Sequence, residues 1–376
     1  QYWPKFAKAL LLNMSTSVVV SMSELCGLAL VLLPVLSGML ASLKISNPGP
    51  APTSPKVPTH DATGVQRYDD NLSEILSCFG TTFLSCWDFF TLPDPTSGFV
   101  QYLPYDQAVA AGIYQQDGAK GKGIYMGAGT GKSMPVQSIR LESKLTFTTG
   151  LFLIDIEHMP TGPGVWPAWW SYGPNWPSSG EIDTLETVSG SNTYTTLHTS
   201  AGCRVAAPGI SSGGDCNAGN GGTGCGVTGG ANGPGVVPSD AGGEQFNKAG
   251  GGVYATLWSQ DAIQVWMWNR ADIPEDVRLG KPRVSTWPAP YVSFRIGPGT
   301  MCPREHFANH KLVINQDFCG AWAGVKFARA GVHPPGPQGC SDYVSDAGSD
   351  LSEAYWLINY VKAFNSADSA LLPWSD

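Results

Sequence analysis

The sequence predicts an all-β fold, an antiparallel sandwich with long loops on one rim, preceded by an N-terminal apolar helix. Two observations carry the sandwich. The 376 residues include 46 Gly, 29 Pro, 13 Trp, 13 Tyr and 14 Phe, a composition that suits short strands joined by turns and not a helical bundle or a disordered chain. Apolar residues also recur at every second position over several stretches, the spacing of side chains on one face of a strand. Charge narrows the partner. Only 14% of residues are charged, against about a quarter in an average soluble domain. With a net charge of −8 and no basic stripe, a polyanion is repelled and counterion release offers no affinity, which argues against nucleic acid and for an uncharged partner.

Residues 1–45 differ from the rest. Lys5 and Lys8 precede an apolar run from Cys26 to Leu43, interrupted by Pro34, Gly38 and small hydroxyl residues and closed by Lys44. Such a run is long for a cleaved signal core and just long enough for a signal anchor, while Met39 to Ser42 offers a small-residue cleavage region. Signal peptide and transmembrane signal anchor therefore both stand. Position 1 is Gln and not Met, so two readings stand, a fragment of a longer chain or a start at Met14 or Met22. Either reading delivers the remainder outside the cytosol, extracellular or at the cell wall, and holds it to the membrane if the segment is uncleaved. A buried core helix fits less well, because residues 46–63 follow as a linker whose stretch Asn47 to His60, NPGPAPTSPKVPTH, favours extended backbone with no apolar face. Residues 64–376 contain no second stretch of this kind and read as one catalytic domain, expected to be a monomer.

Of nine Cys, Cys26 lies in the apolar run, leaving Cys78, Cys86, Cys203, Cys216, Cys225, Cys302, Cys319 and Cys340. An even set in an oxidising compartment predicts disulfides. Spacing leaves their connectivity open, with Cys78 and Cys86 paired only on proximity. No C-x-x-C occurs, so structural zinc finds no support and no metal is expected. Asn71-Leu72-Ser73 is a glycosylation sequon in the exported portion.

Within the domain, Ile139, Leu141, Leu145 and Phe147 alternate with Arg140, Glu142 and Lys144, the signature of a strand with one wet face. Elsewhere the second face is aromatic. Val253, Ala255 and Leu257 oppose Tyr254, Thr256 and Trp258; Ile263, Val265 and Met267 oppose Gln264, Trp266 and Trp268; Tyr355, Leu357 and Val361 oppose Trp356, Ile358 and Tyr360. A solvated sheet would not choose such faces, so either a second sheet or a ligand covers them. Residues 202–252, dominated by Gly, Ser, Asn and Ala with three Cys, read as a long disulfide-stapled loop and not a strand pair.

The most informative stretch runs from Trp166 to His198. Glu181, Asp183 and Glu186 fall within six residues of a charge-poor chain. On a regular strand Glu181 and Asp183 share a face while Glu186, five positions on, points to the other. One extra residue among Thr184, Leu185 and Glu186 restores all three to one face, so a β-bulge is predicted there. Three crowded carboxyls resist full ionisation, because repulsion raises the pKa of whichever ionises last. Glycoside hydrolysis uses that conflict: it needs one carboxylate and one carboxylic acid about the scissile bond, roughly 5–5.5 Å apart when configuration is retained. Asp183 between the two glutamates can share a proton with the first. The alternatives are a solvated acidic strand end or a Ca²⁺ site, but Ca²⁺ prefers acids interleaved with Asn and carbonyls on a loop, and here Ile182 and Leu185 are apolar strand residues. Trp166, Trp169, Trp170 and Trp176 precede the acids; flat indoles suit the apolar faces of sugar rings, although some must pack inside. His198 lies in the alternating strand Thr195 to Thr199, placed to meet an acid or to serve structure alone.

These residues resemble the fungal laminarinase-type branch of glycoside hydrolase family 16. Its hallmark E-x-D-x-x-E stands as Glu181-Ile182-Asp183-Thr184-Leu185-Glu186, and the likeness runs from about Ser77 to Val361. Flanking stretches agree: DPTSGFVQY from Asp94, SIRLESK from Ser138, GLFLIDIEHMP from Gly150, WPAWW, GPNWP, TLHTSAGC ending at Cys203, GGGVYATLW from Gly250 and FCGAWAG from Phe318. The resemblance implies a concanavalin-like β-jelly-roll sandwich with a concave substrate cleft that cuts internal β-1,3 or mixed β-1,3/1,4 glucan linkages with retention and without a cofactor. It implies Glu181 as nucleophile, Glu186 as general acid/base, Asp183 as modulating carboxylate and His198 as their neighbour. Trp169, Trp176, Trp322 and Arg140 match positions expected to contact sugar. The chain departs from the family where a second aliphatic residue is usual at Thr184, Gly at Thr187 and Phe at Trp169, and a Cys often found near Pro163-Gly164 is absent. Two competitors share the site: a cell-wall glucan transglycosylase, in which a sugar hydroxyl replaces water, and an inactive glucan-binding protein, whose usual mark is loss of a catalytic Glu.

Overall fold

The computed structural model describes residues 70–366, apart from 118–120, 130–133, 191–192, 207–213, 220, 229–237, 239, 329–332 and 347. The predicted apolar segment and linker lie outside the described residues. Among the described residues no helix is long and apolar enough to cross a membrane.

Strands dominate, as the alternation predicts. The first are β1 (Leu72–Phe79), β2 (Trp87–Phe89), β3 (Val100–Tyr102), β4 (Tyr114–Gln116), β5 (Ile124–Met126) and β6 (Val136–Ser138). Then come β7 (Arg140–Phe147), β8 (Gly150–His158), β9 (Val165–Tyr172), β10 (Glu181–Glu186), β11 (Tyr194–His198) and β12 (Cys225–Thr228). The last are β13 (Gly252–Trp258), β14 (Ala262–Asn269), β15 (Val292–Arg295), β16 (His310–Phe318) and β17 (Trp356–Ser366). One sheet runs β15-β14-β13-β8-β17-β5-β4, with β1 also on β17; the other runs β12-β11-β10-β9-β16-β7-β2. Neighbours within both are antiparallel, and β3 and β6 form a separate parallel pair.

The main core lies between the two sheets. Ile154, Ile156, Tyr254, Ile263 and Val265 of the first sheet meet Leu141, Trp169, Ile182, Leu185, Leu197 and Ile314 of the second. The aromatic face of β13, with Tyr254 and Trp258, is covered by the second sheet as part of this core, whereas the Trp266 and Trp268 face of β14 lies on the outside of the first sheet. The chain between β14 and β15 folds back over it, and Ile273, Val277, Val284 and Trp287 seal Trp266, Trp268, Val253 and Ala255 into a second cluster. Trp266 and Trp268 meet Trp287 edge-on at 5.3 and 4.9 Å, an arrangement that adds to simple area burial. The outer face of the first sheet is thus closed over β8, β13 and β14, and the acids described below lie on the outer face of the second sheet.

All eight cysteines of the domain are paired, as Cys78–Cys86, Cys203–Cys302, Cys216–Cys225 and Cys319–Cys340. The last packs against Gly164, where a Cβ would come within 2.7 Å of Cys340 Sγ. Residues 202–252 are stapled as expected, but they are not loop throughout: Cys225 opens the edge strand β12 on β11, and a short helix spans Gly243–Lys248. Glycine-rich composition hid a strand whose side chains Cys225 and Val227 are buried.

Candidate active site

The acids sit on β10, between β9 and β11. Gly180 delivers them: its φ is +80°, and a Cβ there would lie 2.4 Å from the His306 carbonyl oxygen, so only glycine makes this entry. The preceding turn is fixed by His310. Buried His310 has its pKa pushed down by burial to about 3, so it is neutral, with Nε2 donating to the Ser179 carbonyl at 2.7 Å and Nδ1 accepting from Ser171 Oγ at 2.9 Å.

The predicted bulge is present. Against β11, Glu181 pairs with His198 and Asp183 with Thr196, but the next pair is Glu186 with Tyr194, so two residues of β10, Thr184 and Leu185, oppose the single Thr195. Against β9, Asp183 pairs with Trp170 and Leu185 with Trp169. Thr184 and Leu185 both turn inward and are buried, while Glu181, Asp183 and Glu186 share the open face. That is the local reason an E-x-D-x-x-E spacing gathers three carboxyls.

Each glutamate has an indole partner. Trp176 Nε1 donates to Glu181 Oε2 at 2.5 Å, and Trp166 Nε1 donates to Glu186 Oε1 at 2.6 Å. His198 Nε2 lies 3.2 Å from Asp183 Oδ2 and 3.9 Å from Glu181 Oε1. The first is a close ion pair that falls short of an aligned hydrogen bond, since Asp183 Oδ2 is buried with no hydrogen-bond partner. Burial, then the charge of Asp183, pushes Glu181 up to about 8 against the relief given by His198 and Trp176. Glu186 is also pushed up to about 8, by burial and then Asp183, with relief from Trp166 and less from His198. Glu181 keeps 18% of its side chain exposed, so cleft water moderates the shift; the direction, upward for both, follows from crowding three carboxyls. Burial pushes His198 down, but its contact with Asp183 and the charges of Glu181, Asp183 and Glu186 outweigh that and carry it to about 9. Glu181, Asp183 and His198 present ligand atoms within 4.8 Å of one another. With His198 raised to about 9, its imidazolium is the cation beside these carboxyls.

The sugar-contact residues divide. Trp176 is 44% exposed beside Glu181. Trp322 sits past Glu186, edge-on to Trp166 at 5.6 Å and to Tyr194 at 4.8 Å, with Lys326 Nζ 4.8 Å above its ring. Trp169 is a correction: it is 2% exposed and packs in the main core. Residues of β9 alternate, and it is Trp166, Trp170 and Tyr172 that share the acids' face: Tyr172 pairs with Glu181, Trp170 pairs with Asp183, and Trp166 hydrogen-bonds Glu186. Arg140 is a second correction. The predicted wet face holds at Lys144, which is exposed, but Arg140 and Glu142 are buried as an ion pair at 2.8 Å. The guanidinium lies 4.2 Å from the Phe90 ring and 5.0 Å from Trp170, so it backs an aromatic wall and offers sugar little surface. Tyr172 donates to Glu142 at 3.1 Å and Trp170 to Asn315 Oδ1 at 2.8 Å, which fixes both rings. Trp166 and Trp170 figure in the sequence only among the indoles that precede the acids, and Tyr172, Asn315 and Tyr194 not at all; the parity of Trp166, Trp170 and Tyr172 along β9 is the signal that finds three of the cleft rings.

An acid trio gathered by a bulge on the open face of an antiparallel sandwich, flanked by hydrogen-bonding indoles, defines a glycoside hydrolase. The chain belongs to glycoside hydrolase family 16, and residues 87–364 match its XgeA-like catalytic domain. A probable endo-1,3(4)-β-glucanase of Aspergillus fumigatus is 36% identical over 310 residues, covering 77% of this chain but 45% of that protein; the chain thus spans less than half the length of this relative. Among solved structures, an elongating family 16 β-1,3-glucosyltransferase superposes with TM-score 0.69 at 32% identity, covering 78% of this chain and 100% of that one. Laminarinase 16A from Phanerochaete chrysosporium, with β-glucans in donor and acceptor sites, gives 0.66 at 30% identity, covering 78% and 99%. The fold is the jelly-roll sandwich of these family members.

Proposed function

We propose that the domain is a retaining endo-1,3(4)-β-glucanase, and the observation that carries this is the bulge that sets Glu181, Asp183 and Glu186 on one open face. Roles follow from the surroundings. Glu181 has both an indole donor and the nearby His198 cation to stabilise its anion, which suits a nucleophile. Glu186 has the indole of Trp166 alone at hydrogen-bond distance and is the better holder of the one proton the pair retains near neutral pH, which suits a general acid. Glu186 protonates the leaving glycosidic oxygen as Glu181 attacks the anomeric carbon; Glu186 then takes a proton from water, whose oxygen displaces Glu181. Asp183 raises both glutamates and is itself held by His198. Trp176 and Trp322 stack on sugar on either side of the acids, with Trp166, Trp170 and Tyr172 completing the cleft. An open aromatic groove favours internal cleavage of a long neutral polymer. The N-terminal segment places the enzyme outside the cytosol or at the cell wall, held to the membrane where it is uncleaved, and the domain acts as a monomer.

A second reading, transglycosylation, is favoured by one observation: the glucosyltransferase neighbour is as similar as the laminarinase. A sugar hydroxyl would then replace water in the second step. Incubation with laminarin, lichenan and a labelled acceptor oligosaccharide separates the two. New reducing ends of retained anomer support the glucanase; acceptor extension without new reducing ends supports the transferase. Binding without any product sinks both.

A further inference from the structure

A bulge that assembles a site must itself be held, because its extra residue forfeits ladder hydrogen bonds. The carbonyl of Thr184 faces the interior, where an unmet acceptor is costly. Thr195 Oγ1 donates to it at 2.9 Å. Tyr291 Oη lies 2.7 Å from Thr195 Oγ1 and 3.4 Å from the same carbonyl oxygen, so the two hydroxyls and the Thr184 carbonyl form a closed hydrogen-bonded group. The Thr184 side chain is tied as well, its Oγ1 2.7 Å from Oγ1 of Thr256 on the opposite sheet. A small cavity of about 10 Å³ is lined by Thr184 and Thr256 together with Trp169, Ile182 and Trp258. It is about the size of one water.

We infer that Tyr291, Thr195 and Thr256 are positioning residues: they hold Thr184 in the bulge and so keep Glu186 beside Asp183 on the cleft face. The inference rests on the proposed glycosidase roles. A carboxyl displaced by about 1 Å loses about a hundredfold in rate, so a partial release is expected to lower kcat by about tenfold with KM unchanged. Thr195→Val removes the hydroxyl at nearly constant volume, and Thr195→Ser restores it. In Thr195→Val, Glu186 leaves Asp183, so the alkaline limb of the kcat profile moves to lower pH, a change that mere loss of stability does not produce. The inference is overturned if folded Thr195→Val keeps parental kcat and pH profile, or if Thr195→Ser is impaired as much as Thr195→Val. Should Thr195→Val not fold, Tyr291→Phe withdraws the second hydroxyl while Thr195 still donates to the carbonyl, and a two- to threefold loss of kcat with the same pH displacement is expected; an unchanged profile overturns the inference. A parent without glucan activity refutes the functional reading instead, and a crystal structure of Tyr291→Phe or Thr195→Val then decides: β10 relaxed to regular register supports the device, and an intact bulge overturns it.

Discussion

Replacing Trp166 by Phe keeps an aromatic ring on the cleft face and deletes one interaction, the 2.6 Å hydrogen bond to Glu186 Oε1. That bond stabilises the carboxylate over the acid, so its loss raises the pKa of Glu186 above a position already pushed up to about 8. Hydrogen bonds to charged groups contribute about 1.5–3 kcal/mol, and 1.36 kcal/mol corresponds to one pH unit. Both partners are only half-buried and water in the open groove replaces part of the bond, so the lower end applies, about one pH unit. A general acid must be protonated in free enzyme, so the alkaline limb of kcat/KM should move up by about that much. Trp176→Phe is the mirror experiment. It removes the donor to Glu181, which must be ionised to attack, so the acid limb should move up and activity at low pH should fall. Steady-state kinetics on laminarin from pH 4 to 10 in both variants provide the measurement. If both variants move the same limb, or Trp166→Phe moves the alkaline limb downward, the two glutamates do not hold these roles.

Glu181→Gln and Glu186→Gln should each lower kcat by at least about 10³, measured by reducing-end release. Because both glutamates are raised in the folded state, folding stability is lost as pH rises from the usual carboxylate range through about 8; each Gln variant should therefore melt higher than the parent at pH 8 and level with it at pH 4. His198, raised to about 9, adds stability below its ordinary pKa that is lost as pH climbs through 9, so His198→Gln should flatten the alkaline decline of Tm. Trp176→Ala, at a side chain 44% exposed, should weaken glucan binding at least several-fold with little change in melting temperature. Loop closure predicts that removing Cys203–Cys302, which spans 99 residues, costs about 4–5 kcal/mol, against about 2.5 for Cys78–Cys86, which spans 8; urea unfolding of the paired Ser variants reads the difference.

The bulge was legible because a period of two is unforgiving: an odd gap from Asp183 to Glu186 cannot leave both on one face without an extra residue. Two other features were not. WPAWW holds indoles in both phases, and composition does not say which phase faces out; that information lies in the pairing of β9 with β10, which puts Trp170 opposite Asp183 and Trp169 opposite Leu185. Arg140 and Glu142 read as wet because charge usually is, but Phe90, Trp170 and Tyr172 roof them from distant stretches whose docking no local pattern encodes. The aromatic outer face of β14 was visible as a demand for cover, though not its supplier, since the short helical turns and loops of 270–290 supply it. Family resemblance located the acids and their neighbours; it did not reveal that Thr184 is held from beneath by Thr195, Tyr291 and Thr256.

The two indole donors have a consequence for how this site can diverge. At Trp166 and Trp176 one ring both walls the groove and sets a proton affinity. Substrate preference therefore cannot drift at these positions without also retuning the working pH. A lineage adapting to a new polymer finds freer ground at Trp322, Tyr194 and Tyr172, whose rings border the trough without touching either glutamate's ionisation.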